Sequence, residues 1–238
     1  MRLDQELVKR KLCESRTEAQ ELILGGFVFV NNIASTKQTK QVLDEDLITV
    51  VGRREFVSRG GNKLRGALNH IYSNDDAIRQ FCSNKSALDI GSSTGGFTDC
   101  LLKYGVVHVD AVDVGTMQLH PKIKEDSRVT SFENTDIRNF KPNTAYDIIV
   151  ADLSFIPLEH IFSTVISFGL HGSSFFLLIK PQFEVGKGNT KKGIVKDQSY
   201  VEDVITKYKV LATKNGLGRV SIFKCSLQGG DGNQEYFL

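Results

Sequence analysis

At 238 residues, with 40% hydrophobic and 24% charged side chains, the chain lies in the ordinary globular range and has room for one large or two smaller domains, which excludes a disordered or fibrous protein. Its net charge of +2 permits an acidic partner without requiring one, so local clustering of charge must decide. The first residues, MRLDQELVKRK, are charged where a secretion signal needs an apolar run, and no segment approaches about 18 consecutive apolar residues, so a cytoplasmic protein with no membrane contact is expected.

Residues 3–24, LDQELVKRKLCESRTEAQELIL, place Leu3, Leu7, Leu12, Ala19, Leu22 and Ile23 on helical faces. Ser15 followed three residues later by Glu18 makes a capping box, so this stretch predicts helix, tight turn, helix. Gly25 and Gly26 end the second helix, FVFVNN supplies a short strand and turn, and VLDEDLITVV a further strand entered through an acidic turn. This block resembles the S4 RNA-binding domain at Arg2-Leu3-Asp4, Ser15-Arg16, Ala19, Leu22-Ile23, Gly26, Val28-Phe29-Val30-Asn31 and Asp46-Leu47-Ile48-Thr49-Val50. The resemblance implies a small α+β module over residues 1–57 that contacts RNA. That span carries nine basic and nine acidic side chains, so it is not a blanket polycation. Arg2, Lys9, Arg10, Lys11 and Arg16 nevertheless gather around the first helix-turn-helix, and Lys37 and Lys40 precede the last strand. Such a cluster can meet phosphates while the acids face elsewhere; a solvated helix face is the bland alternative.

In GRREFVSRGGNKLRGAL, Gly52, Gly60 and Gly61 interrupt the periodicity before a helical pattern begins near Asn62. The domain boundary is placed in residues 52–60, with a second domain over residues 58–238. Arg59, Lys63 and Arg65 make this junction basic, so RNA is expected to reach both modules.

From residue 85 strands alternate with helical segments: SALDIG, TGGFTDCLLKYG, VVHVDAVDVG, then RVTSFENTD, YDIIVADLSF and SSFFLLIK. This alternation predicts an α/β, Rossmann-like parallel sheet, and GRVSIFKCS with NQEYFL, separated by the turn-rich QGGDG, reads as a terminal antiparallel hairpin. Between the first strand and helix lies Asp89-Ile90-Gly91-Ser92-Ser93-Thr94-Gly95-Gly96-Phe97. A dinucleotide fingerprint requires glycine where Ser93 stands, because a pyrophosphate must approach the backbone there. The loop suits S-adenosylmethionine better, since that cofactor has no phosphate to cradle and its ribose hydroxyls can be held by a carboxylate. Asp113 is the ribose candidate and Asp136 the adenine candidate, and Val114, Ile137 and Asp152 complete the expected cofactor set.

The stretch SFFLLIKPQFE drives five apolar residues into Lys180, which emerges at the strand's C-terminal end, the edge where open α/β sheets bind ligands. A strand-end lysine whose stem snorkels to solvent is the alternative. Cys13, Cys82, Cys100 and Cys225 are widely spaced and the histidines show no metal spacing, so free thiols and no metal are expected.

VSRGGNKLRGAL, LDIGSSTGGFTDCLL, AVDVGTMQL, VADLSFIPL, LIKPQFEVG and GNQEYF together resemble the TlyA, or hemolysin A, family of S4-containing ribosomal RNA 2′-O-methyltransferases with an FtsJ-like catalytic domain. The resemblance implies S-adenosylmethionine-dependent methylation of a ribose 2′-hydroxyl, at cytidine in 16S or 23S RNA, with ribosomal RNA or subunits as partners. It also implies a Lys-Asp-Lys-Glu tetrad on Lys63, Asp152, Lys180 and Glu235. Lys180 then receives the hydroxyl proton as a neutral amine, or stabilises the developing alkoxide as an ammonium. The glycine- and lysine-rich EVGKGNTKKGIVKD is expected to be a mobile loop bringing Lys187, Lys191, Lys192 and Lys196 to RNA phosphates. A membrane-active cytolysin, and an RNA-binding assembly protein with an inactive methyltransferase fold, are the competing readings.

Overall fold

The computed structural model describes residues 1–13, 15–51, 55–186, 188–230 and 232–238, and the chain divides into two compact units, Met1–Arg59 and Gly60–Leu238. In the first, helix α1 (Leu3–Lys9) and helix α2 (Arg16–Leu24) precede strands β1 (Val28–Val30), β2 (Ile33–Ala34) and β3 (Ile48–Val50), which pair antiparallel in the order β2-β1-β3. The Ser15 hydroxyl accepts the Glu18 backbone N–H at 3.1 Å, the cap that starts α2. Leu3, Leu7, Ala19, Leu22, Ile23, Val28, Val30, Val42 and Ile48 form the core of this unit. Under its surface, the fully buried Asp4 accepts hydrogen bonds from Arg2, Arg16 and Gln20. Burial alone would raise that carboxyl, but the three donors outweigh it and hold it at about 2.

From the boundary, which falls at the first residue of α3, the chain runs α3 (Arg59–Ile71), α4 (Asp75–Cys82), β4 (Ser86–Ile90), α5 (Gly96–Lys103), β5 (His108–Val112), α6 (Pro121–Lys124), β6 (Val129–Phe132), β7 (Tyr146–Ala151), α7 (Phe162–Ser167), β8 (Gly169–Ile179), α8 (Pro181–Glu184), α9 (Gln198–Lys214), β9 (Phe223–Lys224) and β10 (Tyr236–Phe237). Helix α3 therefore begins three residues before Asn62. The sheet of the second unit has the order β6-β5-β4-β7-β8-β10-β9; the first five strands are parallel, and β10 pairs antiparallel with both β8 and β9. The expected terminal hairpin is present, but its strands are two residues each and β10 inserts between β9 and β8.

Strand β8 starts at Gly169, earlier than its apolar run implies, because a register irregularity opposite Tyr146–Ile148 lets the polar first half remain in the strand. Only Phe176–Ile179 is fully buried, against β7 and β10. The strand order reverses between β4 and β7. Their adjacent C-terminal ends bring Gly91 and Asp152 together, at the kind of crevice where open α/β sheets take ligands.

Candidate active site at the carboxyl edge of the sheet

At the end of β4 the chain turns through Gly91, whose φ of +73° is open only to glycine without strain. A Cβ there would stand 2.8 Å from the Asp152 carbonyl oxygen, so the loop can pass this close to β7 only with glycine. Ser93, where the dinucleotide fingerprint has its second glycine, also adopts a left-handed φ of 47°. Its side chain changes, yet the backbone bend persists: the Ser93 N–H donates to Asp113 Oδ2 at 2.8 Å, while Gly115 N–H donates to Asp113 Oδ1 at 2.7 Å. Two acceptor positions of that carboxylate thereby set the geometry of two loops, and its remaining lone pairs stay available to hydroxyl donors.

A cavity of about 490 Å³ opens beside these loops, inside the range of small-molecule sites. Of the expected cofactor residues, Gly91, Ser93, Asp113, Val114, Asp136, Ile137 and Asp152 line it. Asp89, Ser92, Thr94, Gly95, Gly96 and Phe97 are not among its lining residues. Asp89 is fully buried and accepts from the Thr98 N–H at 3.0 Å and the Thr98 hydroxyl at 2.6 Å, tying β4 to α5. Burial pushes its carboxyl up to about 7, with the Thr98 bonds pulling the other way. Phe97 packs in the core against Phe237. Asp89 and Phe97 thus make their contacts in the core. Asp136 is gripped by the Arg138 guanidinium and backbone N–H, and the guanidinium bonds hold its carboxyl at about 2.

Against one end of the cavity sits a quartet of opposite charges. Lys63, from the first turns of α3, donates to Glu235 Oε2 at 2.7 Å and lies 3.7 Å from Asp152 Oδ2. Lys180 Nζ lies 2.6 Å from Asp152 Oδ1 and donates to Ser154 Oγ at 2.9 Å. Lys63, Lys180 and Glu235 are at most 9% exposed, and the Asp152 side chain is 22% exposed toward the cavity. Burial opposes the charge on Lys63, but Asp152 and Glu235 outweigh it and raise the amine above its ordinary range. Burial likewise opposes the Asp152 carboxylate, and the Lys63 and Lys180 ammonium groups reverse the effect and hold it low. Four elements distant in sequence thus deliver two cations and two anions to one point. Lys63, also expected among the RNA-contacting residues, is 8% exposed and paired with Glu235 and Asp152 inside this quartet.

Ser154 was not foreseen from sequence, nor were Leu153, Phe155 and Ile156, which continue the wall after Asp152. A serine two residues past an acid has no periodic signal; only the spatial neighbour Lys180 reveals it. Among the described residues no cluster of His, Cys, Asp or Glu could hold a metal, and no helix is long and apolar enough to cross a membrane.

The basic residues expected to meet RNA differ in setting. Arg10 makes four hydrogen bonds inside the first unit, to Glu6 and to the carbonyls of Leu43, Asp44 and Asp46, so it braces that unit. Lys9 pairs with Asp44 at 3.0 Å, and Arg2 and Arg16 share Asp4, while Lys11 is exposed. Arg59 and Arg65 are partly exposed on α3, Lys191 and Lys192 are exposed after α8, and Lys187 lies outside the described residues.

Residues 56–238 match the FtsJ-like methyltransferase family and residues 1–48 the S4 domain. The 16S/23S rRNA (cytidine-2′-O)-methyltransferase TlyA of Mycobacterium tuberculosis is 38% identical over 243 residues, covering 100% of this chain and 88% of that protein. Hemolysin A of Brachyspira hyodysenteriae is also 38% identical, over 99% of this chain and 98% of its own. Among solved structures, a Streptococcus thermophilus protein provisionally named a hemolysin superimposes with a TM-score of 0.74 at 32% identity, covering 100% of this chain and 86% of that one. A seven-stranded sheet of methyltransferase order, a small α+β unit preceding it in the sequence and identity along the whole length place this chain in the TlyA/hemolysin A family of FtsJ-like methyltransferases.

Proposed function

We propose that the protein transfers a methyl group from S-adenosylmethionine to a ribose 2′-hydroxyl of ribosomal RNA, at a cytidine, acting on ribosomal subunits in the cytoplasm. The observation that carries this reading is the contact of Lys180 with Asp152, a residue that also lines the cavity, so that a proton-handling amine and a cofactor-sized pocket share one wall.

The residues present fit the cofactor. Asp113 has lone pairs free for two ribose hydroxyls, Asp136 can accept from an adenine amino group, and the missing Cβ at Gly91 lets the loop lie close against Asp152 beside the cavity. When bound, the cofactor supplies an electrophilic methyl on a positively charged sulfur. The protein must then align a ribose oxygen and deal with its proton. Asp152 forms an ion pair with Lys180 and with Ser154 fixes where the amine points. Glu235 and Lys63 complete the charge balance behind it, so that Asp152 stays ionised. Lys180 takes up the hydroxyl proton or stabilises the oxyanion through its remaining N–H. In the first unit, Arg2, Lys9, Lys11 and Arg16 are proposed to hold phosphates, with Asp4 orienting the two arginines; Arg59, Arg65, Lys191 and Lys192 extend the set.

The quartet is complete, which speaks against an inactive scaffold, and the hemolysin name belongs to relatives. The test is to incubate the protein with methyl-labelled S-adenosylmethionine and separated ribosomal subunits, then map ribose methylation by nucleotide. Label on a base, or no transfer to either subunit, would refute the reading.

A further inference from the structure

Asn233 is a buried amide, 4% exposed, two residues before Glu235. Both ends of its side chain are occupied by backbone from a segment about forty residues away: Oδ1 accepts the Val195 N–H at 3.1 Å, and Nδ2 donates to the Gly193 carbonyl at 2.9 Å. Its own carbonyl accepts the Gly229 N–H at 2.9 Å, closing the turn that leads into Glu235. That turn packs directly on the quartet, since a Cβ at Gly229 would stand 2.7 Å from Glu235 Oε1.

The segment Asn233 grips is the lysine-rich stretch after α8, and it is not featureless. Lys191 and Ile194 exchange both backbone hydrogen bonds, at 2.9 and 3.2 Å. Lys192 and Gly193, at φ 53° and 78°, occupy the two central positions of a hairpin turn that needs left-handed backbone at both. Lys191 and Lys192 point to solvent, and Lys196 follows them, also exposed. Val195 packs on the core, while Asn233 fixes the backbone on either side of Ile194.

We propose that Asn233 is a positioning residue that clamps the Lys191–Ile194 turn to the segment carrying Glu235, presenting Lys191 and Lys192 as a preformed phosphate contact for the RNA whose ribose enters the quartet. This rests on the RNA methyltransferase reading above. The site demands an amide because it must accept and donate at once: an aspartate would turn a carboxylate onto the Gly193 carbonyl, and an alanine would satisfy neither group. Without the clamp Lys191 and Lys192 are no longer held where the phosphates pass, so their contacts are lost and binding weakens without touching the cofactor cavity.

The experiment measures binding of labelled, deproteinised ribosomal RNA to the full chain across a salt series, with a parallel S-adenosylmethionine titration and methyl-transfer assay. Asn233→Ala and the double variant Lys191→Gln/Lys192→Gln are compared with wild type; Asn233→Asp serves as a second clamp variant if the alanine protein does not fold. Each lost phosphate contact flattens the log–log salt slope by roughly 0.7–0.9. Asn233→Ala is therefore expected to flatten it by about 1–2, to weaken RNA binding about fivefold to tenfold near physiological salt, and to leave cofactor affinity within about twofold. The lysine variant should show the same slope change, and combining the two should add nothing. A clamp variant that keeps the wild-type slope, or a lysine variant that leaves the slope unchanged, overturns the proposal; loss of thermal stability alone does not produce the expected slope. Wild-type protein that binds RNA with this lysine-dependent slope yet transfers no methyl to that RNA or to either ribosomal subunit would uphold the clamp and overturn the methyltransferase reading.

Discussion

Lys180 Nζ lies 2.6 Å from Asp152 Oδ1, and the opposite oxygen of that carboxylate faces Lys63 Nζ at 3.7 Å. One carboxylate therefore serves two buried ammonium groups, with Glu235 supplying the second negative charge. The arrangement makes the two lysines unequal. Lys63 has two carboxylates, whereas Lys180 has one carboxylate and a hydroxyl, and it adjoins the cavity through Asp152 and Ser154.

Lys180→Ala is expected to lower methyl transfer at least about 100-fold, the usual scale of a lost general acid or base. Asp152 keeps Lys63 as a partner in this variant, so the fold and cofactor binding should survive. Single-turnover transfer to ribosomal subunits, measured beside a calorimetric S-adenosylmethionine titration, checks both halves. Turnover near wild type would remove Lys180 from the chemistry.

Ser154→Ala removes the acceptor of a 2.9 Å bond from Lys180 without changing charge. A hydrogen bond to an ionised group contributes about 1.5–3 kcal/mol, so kcat should fall on the order of 10- to 100-fold, while Ser154→Thr, which keeps a hydroxyl, recovers most of it. The split between the two variants, read as kcat at saturating cofactor, separates a positioning hydroxyl from a merely packed one.

Much of this site could be read from the chain alone, because its parts are carried by strong local signals. The apolar run ending at Lys180, the acid closing YDIIVAD and the glycine loop after SALDI each mark a strand end, and parallel strands place their ends on one edge. What stayed hidden depends on direction or on distant partners. Asp89 and Asp113 are both acids at strand ends, yet only the second lines the cavity; Asp89 turns into the core toward Thr98, and spacing does not distinguish them. Arg10 looks like any other cation of its cluster until its four bonds to Glu6, Leu43, Asp44 and Asp46 are seen. The basic stretch after α8 reads as a mobile loop because glycine and lysine carry no periodicity, and the Asn233 amide bonded to its hairpin turn lies far along the chain.

Gly91→Ala tests the close approach of the loop to β7. The added Cβ meets the Asp152 carbonyl oxygen at 2.8 Å, a backbone atom that cannot swing aside, at a φ of +73° that alanine tolerates poorly. The two effects together should cost about 2–4 kcal/mol of stability and abolish detectable cofactor binding, as thermal unfolding and equilibrium titration would show. An alanine variant with wild-type affinity would mean that the loop can move away from β7 at no cost.

Asp89→Asn should change how stability depends on pH. Burial raises the folded-state carboxyl from its ordinary 3.8 to about 7, so between those values the folded protein holds a proton that the unfolded chain has lost. Stability from this group is therefore full below about pH 4, declines as pH rises toward 7, and stays reduced above it. At about 1.4 kcal/mol per pKa unit, the decline amounts to roughly 4 kcal/mol as an upper bound. The asparagine oxygen can still accept both Thr98 bonds, so the substitution removes the ionisation while keeping the tie between β4 and α5. Chemical denaturation at pH 5 and pH 8 should show wild type losing stability between the two and the variant losing on the order of 2 kcal/mol less. Equal losses in both proteins would place the Asp89 ionisation near its ordinary range and make its burial an electrostatically neutral feature of the loop.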